Sequence, residues 1–250
     1  MVCALLSGRR ACCNSLQSFD LMIYITSDVH LGLNVADPRE REDRFVAWLK
    51  TIPRSADNTL VLLGDIWDFW YEYKYVVPKE GVRVVAQLID LMDGGVKVIF
   101  FPGNHDIWTF HFFESIGIEV IRKQPLVTTL DGHRVLLAHG DGIGGATLSY
   151  SLMLKIFHSK FCQWLFSLLH PRIAFALAGR WSRSNRRTHR SYQWKGEQER
   201  LYKYALEQSS DIEMFIFGHY HCSVEETLPS GSRLIVLKDW IDGGTPHLEL

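Results

Sequence analysis

Short apolar runs alternate with stretches of helical periodicity from Met22 onward. The apolar runs predict strands at residues 23–26, 60–63, 97–101, 135–138, 214–217 and 233–237. Apolar positions that recur every three or four residues predict helices over 39–50 and 82–92. Short runs bounded by Gly, Asn and Asp are typical of strands that are buried on both faces, with helices packed outside. The pattern therefore predicts an α/β sandwich.

Residues 146–205 break this alternation. Residues 152–169 are apolar and aromatic but are interrupted by Lys155, His158 and Lys160. A second helix is predicted from Pro171, because proline suits the first turn of a helix, and a third around 198–207. We interpret 146–205 as a helical insertion within one domain that spans 22–250. Residues 1–21 are expected to be a dispensable tail, or to precede a true start at Met22.

Composition restricts the class of protein. With 250 residues, 47% of them apolar, the chain can bury a large core. A charged fraction of 22% and a net charge of −1 argue against a disordered protein and against one that coats nucleic acid. Five cysteines without a CxxC pair predict neither a disulfide framework nor a thiolate zinc site, and they favour a reducing, cytoplasmic setting.

Potential metal ligands follow five of the predicted strands directly. These side chains are Asp28, His30, Asp65, Asn104, His139, His219 and His221. Each motif alone is a weak signal, since polar residues are common in loops. Because strand ends in an open α/β sheet meet in one crevice, all five together predict a single site. Glycines beside three of the ligands would let the backbone turn sharply and approach closely.

The donor types indicate the kind of metal. Carboxylate, imidazole and amide oxygen without thiolate suit Mn²⁺, Fe²⁺, Zn²⁺, Co²⁺ or Ni²⁺. Seven donors exceed the needs of one tetrahedral ion, so we expect two divalent ions that share a carboxylate.

The five motifs resemble the signature blocks of the calcineurin-like metallophosphoesterase superfamily. The resemblance implies a four-layer α/β/β/α sandwich, in which the insertion is a helical lid. It also implies the assignment of ligands to the two ions. Asp28, His30, Asp65 and His221 would hold one ion, and Asp65, Asn104, His139 and His219 would hold the other, so that Asp65 bridges the two.

Within that superfamily the chain is similar to the UDP-2,3-diacylglucosamine diphosphatases of lipid A synthesis. The similarity lies in residues 64–70 (GDIWDFW), 139–141 (HGD), 178–185 (AGRWSRSN) and 236–240 (VLKDW). It implies hydrolysis of the substrate's pyrophosphate to UMP and 2,3-diacylglucosamine 1-phosphate, with Mn²⁺ as the first choice of metal. One difference is His105, where the best-known branch of that family has Arg and a related branch has His.

Residues beside the metals have hypothetical roles. His105 is placed to donate a proton to the leaving oxygen or to hold a phosphoryl oxygen, with Asp106 orienting its ring. The alternative is that His105 merely caps the loop. Arg183, Ser184 and Asn185 are candidates for contacting the diphosphate or the sugar.

The insertion carries most of the positive charge. Residues 151–200 contain ten Lys or Arg and two Glu, hence +8 in a chain of net charge −1. Basic charge mixed with Phe and Trp in helices is typical of an element that lies on a membrane surface. Residues 152–169 are too short and too charged to span a bilayer. We therefore expect a cytoplasmic protein that is peripheral on the inner face of the bacterial inner membrane.

Several alternatives stay open. The helices of the insertion could simply pack on the core, and a nucleic-acid partner, which we consider a less favoured one, would explain the charge equally well. A soluble phosphatase or phosphodiesterase for phosphoprotein, nucleotide or nucleic-acid substrates would use the same metal ligands. A non-catalytic scaffold is disfavoured, because all seven ligands and His105 are present. The oligomeric state is left open.

Overall fold

A computed structural model of the protein describes residues 22–189 and 192–250, without the side chains of 181 and 183–189. Within that part the chain forms ten strands, namely β1 Ile23–Thr26, β2 Thr59–Leu62, β3 Lys97–Phe100, β4 Glu119–Val120, β5 Leu126–Leu130, β6 His133–Ala138, β7 Met214–Phe217, β8 Val224–Thr227, β9 Arg233–Val236 and β10 Leu248–Glu249. Its α-helices are α1 Pro38–Leu49, α2 Val82–Asp93, α3 Phe112–Ser115, α4 Leu148–His158, α5 Lys160–Ser167, α6 Pro171–His189 and α7 Arg200–Gln208. The predicted tail, 1–21, lies outside the described residues.

The strands form two five-stranded sheets. The first has the order β10-β1-β2-β3-β4, and β1 to β4 run parallel while β10 is antiparallel. The second has the order β5-β6-β7-β9-β8, and its three central strands are parallel. All six predicted strands are present to within two residues at either end. The α/β fold predicted from the sequence is confirmed.

Three apolar cores separate the layers. Alternate residues of β1 illustrate the division, since Ile23 and Ile25 pack between the sheets and Tyr24 packs toward α1 and α2. A third core joins the outer face of the second sheet to α7 through Leu201, Tyr202 and other residues. The order of layers is thus α1 and α2, the first sheet, the second sheet, and α7.

Helix α7 corrects one predicted boundary. The insertion was expected to extend to about residue 205, yet Leu201 and Ala205 are fully buried in the core of the second sheet. Helix α7 is therefore a layer of the sandwich, and the inserted helices are α4, α5 and α6. The apolar stretch 152–169 is divided between two helices, because Ser159 ends α4 in an extended conformation and caps α5 with its side chain.

The inserted helices lie on aromatic side chains of the loops that follow β2 and β3. Ring centroids are 4.7 Å apart for Trp108 and Phe166, and 5.2 Å apart for Phe69 and Phe175. The hydroxyl of Tyr71 donates a 2.7 Å hydrogen bond to the carbonyl of Gln163. No residue of α4 or α5 is buried. The insertion is attached along one side and exposed along the other.

Candidate metal centre

The seven predicted ligands lie in the loops that follow the carboxyl ends of β1, β2, β3, β6 and β7. The loops of the two sheets contact each other there, because the amide of His219 donates a 2.9 Å hydrogen bond to Oδ2 of Asp28. Asp28, His30, Asp65 and His139 are each at most 1% exposed. Such burial of carboxylates and imidazoles is costly unless they are paired or bind a cation.

The first group of potential ligands is Asp28, His30 and His221. Oδ1 of Asp28 lies 3.6 Å from Nε2 of His30 and 3.4 Å from Nε2 of His221. Ligand bonds of about 2.1 Å place neighbouring donors roughly 3–3.5 Å apart, so these separations suit one ion. Oδ1 of Asp28 is buried and accepts no hydrogen bond from the described residues. An oxygen in that state fits a metal ligand.

The second group is Asp65, His139 and His219. Nε2 of His139 lies 3.4 Å from Oδ2 of Asp65 and 3.3 Å from Oδ1 of Asn104. The same Oδ2 atom of Asp65 is 3.8 Å from Nε2 of His30, in the first group. The carboxylate of Asp65 thus stands between the two groups, where a bridging ligand would be.

The backbone at these positions is unusual. Asp28, His30, Asp65, His219 and His221 all have positive φ, between 51° and 70°. A residue with a side chain rarely adopts this conformation, and such strain is concentrated at functional sites. Positive φ at five of the seven potential ligands is therefore a further sign of a functional site in these loops.

Two glycines allow the loops to approach. A Cβ atom at Gly103 would lie 2.7 Å from the amide nitrogen of Asp65 and 2.9 Å from Nε2 of His139. A Cβ atom at Gly218 would collide with the Ser27 hydroxyl and the Asp28 carboxylate. The close approach predicted from glycine beside the ligands is therefore required by packing.

Hydrogen bonds set the orientation of two imidazoles. Nδ1 of His139 donates to the carbonyl oxygen of Leu63 at 2.8 Å, and Nδ1 of His221 lies 2.8 Å from Oδ2 of Asp239. In both rings Nε2 is left facing the centre, as is usual for metal-binding histidines. Sequence reasoning did not identify Asp239 as a functional residue. Its position two residues beyond the predicted strand 233–237 was the available signal.

Electrostatics favour a cation at this centre. Burial would raise the pKa of Asp65, but the charges of His139 and His105 outweigh it and lower that pKa well below its usual range. Burial would likewise lower the pKa of His139, but Asp65 outweighs burial and raises it. Burial and then repulsion from His139 lower the pKa of His219 to about 3. A proton on His139 thus compensates Asp65, and a divalent ion can replace it.

His105 lies beside the first group. Its ring centroid is 5.0 Å from that of His30, and its amide donates a 2.8 Å hydrogen bond to Oδ1 of Asp65. Its Nδ1 donates to the carbonyl oxygen of Asp68 at 2.9 Å. Because Nδ1 is engaged there, Nε2 is the ring nitrogen that remains for a substrate.

The structure corrects the role predicted for Asp106. Its carboxylate does not orient the ring of His105. It accepts hydrogen bonds from the amides of Gly103, Asp65, Ile66 and Trp67, at 2.7 to 3.2 Å. Asp106 therefore ties the loop after β2 to the loop after β3. Asp68, three residues beyond Asp65, contacts the His105 ring through its carbonyl oxygen, at 2.9 Å from Nδ1.

The three predicted substrate contacts fall on helix α6. Arg183, Ser184 and Asn185 lie within its range, but their side chains lie outside the described part of the structure. The side chain of Ser182, one residue earlier, is described. Its hydroxyl donates a 2.9 Å hydrogen bond to Oδ1 of Asp68. Helix α6 therefore reaches the edge of the candidate metal centre.

Comparison with known proteins identifies one family, and the similar proteins described below share one name. The sequence model of the calcineurin-like phosphoesterases matches residues 21–223. A UDP-2,3-diacylglucosamine hydrolase of Porphyromonas gingivalis is 34% identical over 238 residues, which cover 88% of this chain and 90% of that protein. The hydrolases of the same name from Histophilus somni and Ralstonia nicotianae are 28% and 27% identical, and each match covers 87% of this chain. The matches cover 91% and 83% of those two proteins, so the similarity extends over nearly whole chains.

Proposed function

Because the chain belongs to the calcineurin-like phosphoesterase family, and is thus a metal-dependent phosphoester hydrolase, we propose that it hydrolyses the pyrophosphate of UDP-2,3-diacylglucosamine. The products would be UMP and 2,3-diacylglucosamine 1-phosphate. The observation that carries the proposal is the position of Asp65 between two groups of ligands. The similarity to UDP-2,3-diacylglucosamine hydrolases over nearly whole chains supports the substrate.

The proposed ligands fit two divalent ions. Asp28, His30 and His221 would hold one, Asn104, His139 and His219 the other, and Asp65 would contact both. Mixed oxygen and nitrogen donors suit Mn²⁺, which we propose ahead of Fe²⁺, Zn²⁺, Co²⁺ and Ni²⁺. When bound, two such ions lower the pKa of a water molecule and neutralise charge on phosphoryl oxygens.

The chain's own residues would then act on the substrate. Asp65, whose Oδ2 lies 3.4 Å from Nε2 of His139 and 3.8 Å from Nε2 of His30, would fix the distance between the two groups. His105 presents Nε2, because Nδ1 is held by the Asp68 carbonyl. Because Nδ1 carries the proton that is shared with the Asp68 carbonyl, Nε2 could donate a proton to the leaving phosphate, or hold a phosphoryl oxygen, from the doubly protonated ring. Asp106 keeps the two loops together, so its contribution is to position Asp65 and His105 and not to transfer a proton. Arg183, Ser184 and Asn185 remain proposed contacts of the diphosphate or sugar.

The insertion supports a membrane-bound substrate. Its exposed apolar side chains, each 47% exposed or more, are Leu148, Leu152, Ile156, Phe161, Trp164, Leu165, Leu168, Ile173 and Leu177. The same region carries the +8 excess of charge. Among the described helices, none has the length and hydropathy to cross a membrane. We propose that this surface lies on the anionic inner face of the bacterial inner membrane and gives access to the lipid substrate.

The test is release of UMP from UDP-2,3-diacylglucosamine by purified protein with Mn²⁺, using Asp65→Asn and Asp131→Asn as matched variants. Both aspartates have positive φ, 51° and 47°, which asparagine tolerates. Asp131 is exposed in the turn between β5 and β6. We expect Asp65→Asn to lose turnover and Asp131→Asn to keep it. Equal turnover in all three proteins would contradict the proposed site.

A generic aryl phosphodiester separates the substrate from the site. Hydrolysis of the diester without release of UMP from the lipid would leave the metal centre in place and overturn the proposed substrate. That result would favour the second candidate, a soluble phosphatase or phosphodiesterase.

A further inference from the structure

Asp68 contacts both histidines at the edge of the candidate metal centre. Its Oδ1 lies 3.4 Å from Nδ1 of His30, and its carbonyl oxygen accepts a hydrogen bond from Nδ1 of His105. Asp68 is only 7% exposed. Asp68 therefore contacts both His30, a proposed metal ligand, and His105, a proposed catalytic residue.

The same Oδ1 atom also binds the insertion. The hydroxyl of Ser182 on α6 donates to it at 2.9 Å, and Ser182 is 2% exposed. Asp68 and Ser182 are 114 positions apart in the chain, and α6 belongs to the insertion, not to the sandwich. One buried oxygen thus accepts a hydrogen bond from the helical insertion and makes an electrostatic contact with the ring of His30 at 3.4 Å.

A carboxylate behind a metal-binding histidine fixes the ring and makes its ligating nitrogen more basic. The carboxylate must itself be held, because the terminal torsion of an aspartate has a broad energy minimum. The hydrogen bond from the Ser182 hydroxyl to Oδ1 restricts that torsion.

We propose that Ser182 is a positioning residue, which holds Asp68 in the orientation that aligns His30 and so makes the metal centre complete only when α6 lies on the core. This inference rests on the proposed function, since it takes His30 as a metal ligand. Because coupling between two sites is reciprocal, metal binding would in turn favour the attached position of α6.

Tyr71 provides a matched control. Its hydroxyl also donates one hydrogen bond from the core to the insertion, at 2.7 Å, but the acceptor is the Gln163 carbonyl on α5. Tyr71→Phe and Ser182→Ala therefore each remove a hydroxyl that bonds core to insertion, and only Ser182→Ala removes one that donates to Asp68.

The experiment is a calorimetric titration of the full-length metal-free protein with Mn²⁺. We expect Ser182→Ala to raise the apparent Kd about three- to tenfold, below the about 10- to 100-fold typical of residues that contact a ligand directly. Tyr71→Phe should stay within about twofold of the unmodified protein. In an Asp68→Asn background, Ser182→Ala should add nothing further, as a double-mutant cycle requires for a coupled pair. Thermal unfolding without metal identifies any variant that has not folded.

The outcomes are distinct. An unchanged Kd in Ser182→Ala, or an equal loss in Tyr71→Phe, overturns the positioning role, and so does a further loss in the Asp68→Asn background. His30→Ala tests the assumption beneath it. If His30→Ala binds Mn²⁺ as tightly as the unmodified protein does, the proposed metal site is wrong. If His30→Ala weakens Mn²⁺ binding but Ser182→Ala does not, only the inference about Ser182 is overturned.

Discussion

Nδ1 of His221 lies 2.8 Å from Oδ2 of Asp239, so the ring presents its Nε2 to Asp28. Oδ1 of Asp239 accepts the amide of Ile241, which holds the carboxylate in place. Asp239, three residues after the end of β9, thus orients His221 in the loop after β7.

We expect Asp239→Asn to weaken Mn²⁺ binding by about 10- to 100-fold, because the amide would no longer stabilise the Nδ1 proton of His221 while it could still accept from Ile241. The measurement is the Kd of Mn²⁺ by calorimetry. Asp242→Asn, the same change at an exposed position nearby, is the control and should leave the Kd unchanged. Equal affinities in the two variants would contradict the role of Asp239.

Gly103→Ala should reduce turnover about a hundredfold, because the added Cβ would displace Asp65 and His139. A displacement of about 1 Å at a reacting centre has an effect of that size. Gly132→Ala separates this contact from general backbone strain. Gly132 has positive φ but no atom within 4 Å of its added Cβ. It should lose about 1 kcal/mol of unfolding free energy and keep its turnover. Normal turnover in Gly103→Ala would show that the loops can move apart.

Removal of metal should lower the melting temperature. The carboxylates of Asp28 and Asp65 are buried, at 0% and 1% exposure, and burial together with the charge of Asp65 raises the pKa of Asp28. Mn²⁺ at one hundred times its Kd should stabilise the folded state by about 2.7 kcal/mol, which is about 5–10 °C for a domain of this size. Calorimetric unfolding with Mn²⁺ or with a chelator measures the shift. His30→Ala should show a smaller shift, and an equal one would argue against His30 as a ligand.

Mn²⁺ affinity should rise with pH. In the metal-free protein Asp65 raises the pKa of His139, so this ring holds a proton that an ion must displace. Protons compete with the metal, and the apparent Kd therefore increases as the pH falls. Titrations in buffers of different ionisation enthalpy would reveal proton release on binding. A Kd and a heat that do not depend on pH or buffer would show that His139 is already neutral.

Sedimentation with vesicles tests the insertion. We expect Phe161→Glu combined with Leu165→Glu to abolish binding to anionic vesicles, because two charges would enter the exposed apolar face of α5. Tyr75→Glu is the control, since Tyr75 is 85% exposed but lies on the loop after β2. Retained binding in the α5 variant would exclude this face as the membrane contact. Binding of nucleic acid in place of vesicles would assign the positive charge to that partner.

The sequence predicted the central strands, and it predicted that the seven potential ligands meet where the carboxyl ends of those strands converge. It could do so because each central strand is a short apolar run, and the ligand follows where the run ends. The short edge strands β4 and β10 were not predicted, since two residues carry no readable period. Helix α7 was assigned to the insertion, because its amphipathic pattern does not say which surface it covers.

By itself the sequence determined the α/β class, the candidate ligands and the family, since local hydrophobic pattern and motif spacing carry that information. Only the tertiary structure decided that Asp106 accepts from backbone amides, and that Asp68 and Asp239 contact the histidines. These contacts join loops from different strands, and in the case of Ser182 a distant helix. The chemical identity of an aspartate is visible in the sequence, but its hydrogen-bond partner depends on how separate segments pack together.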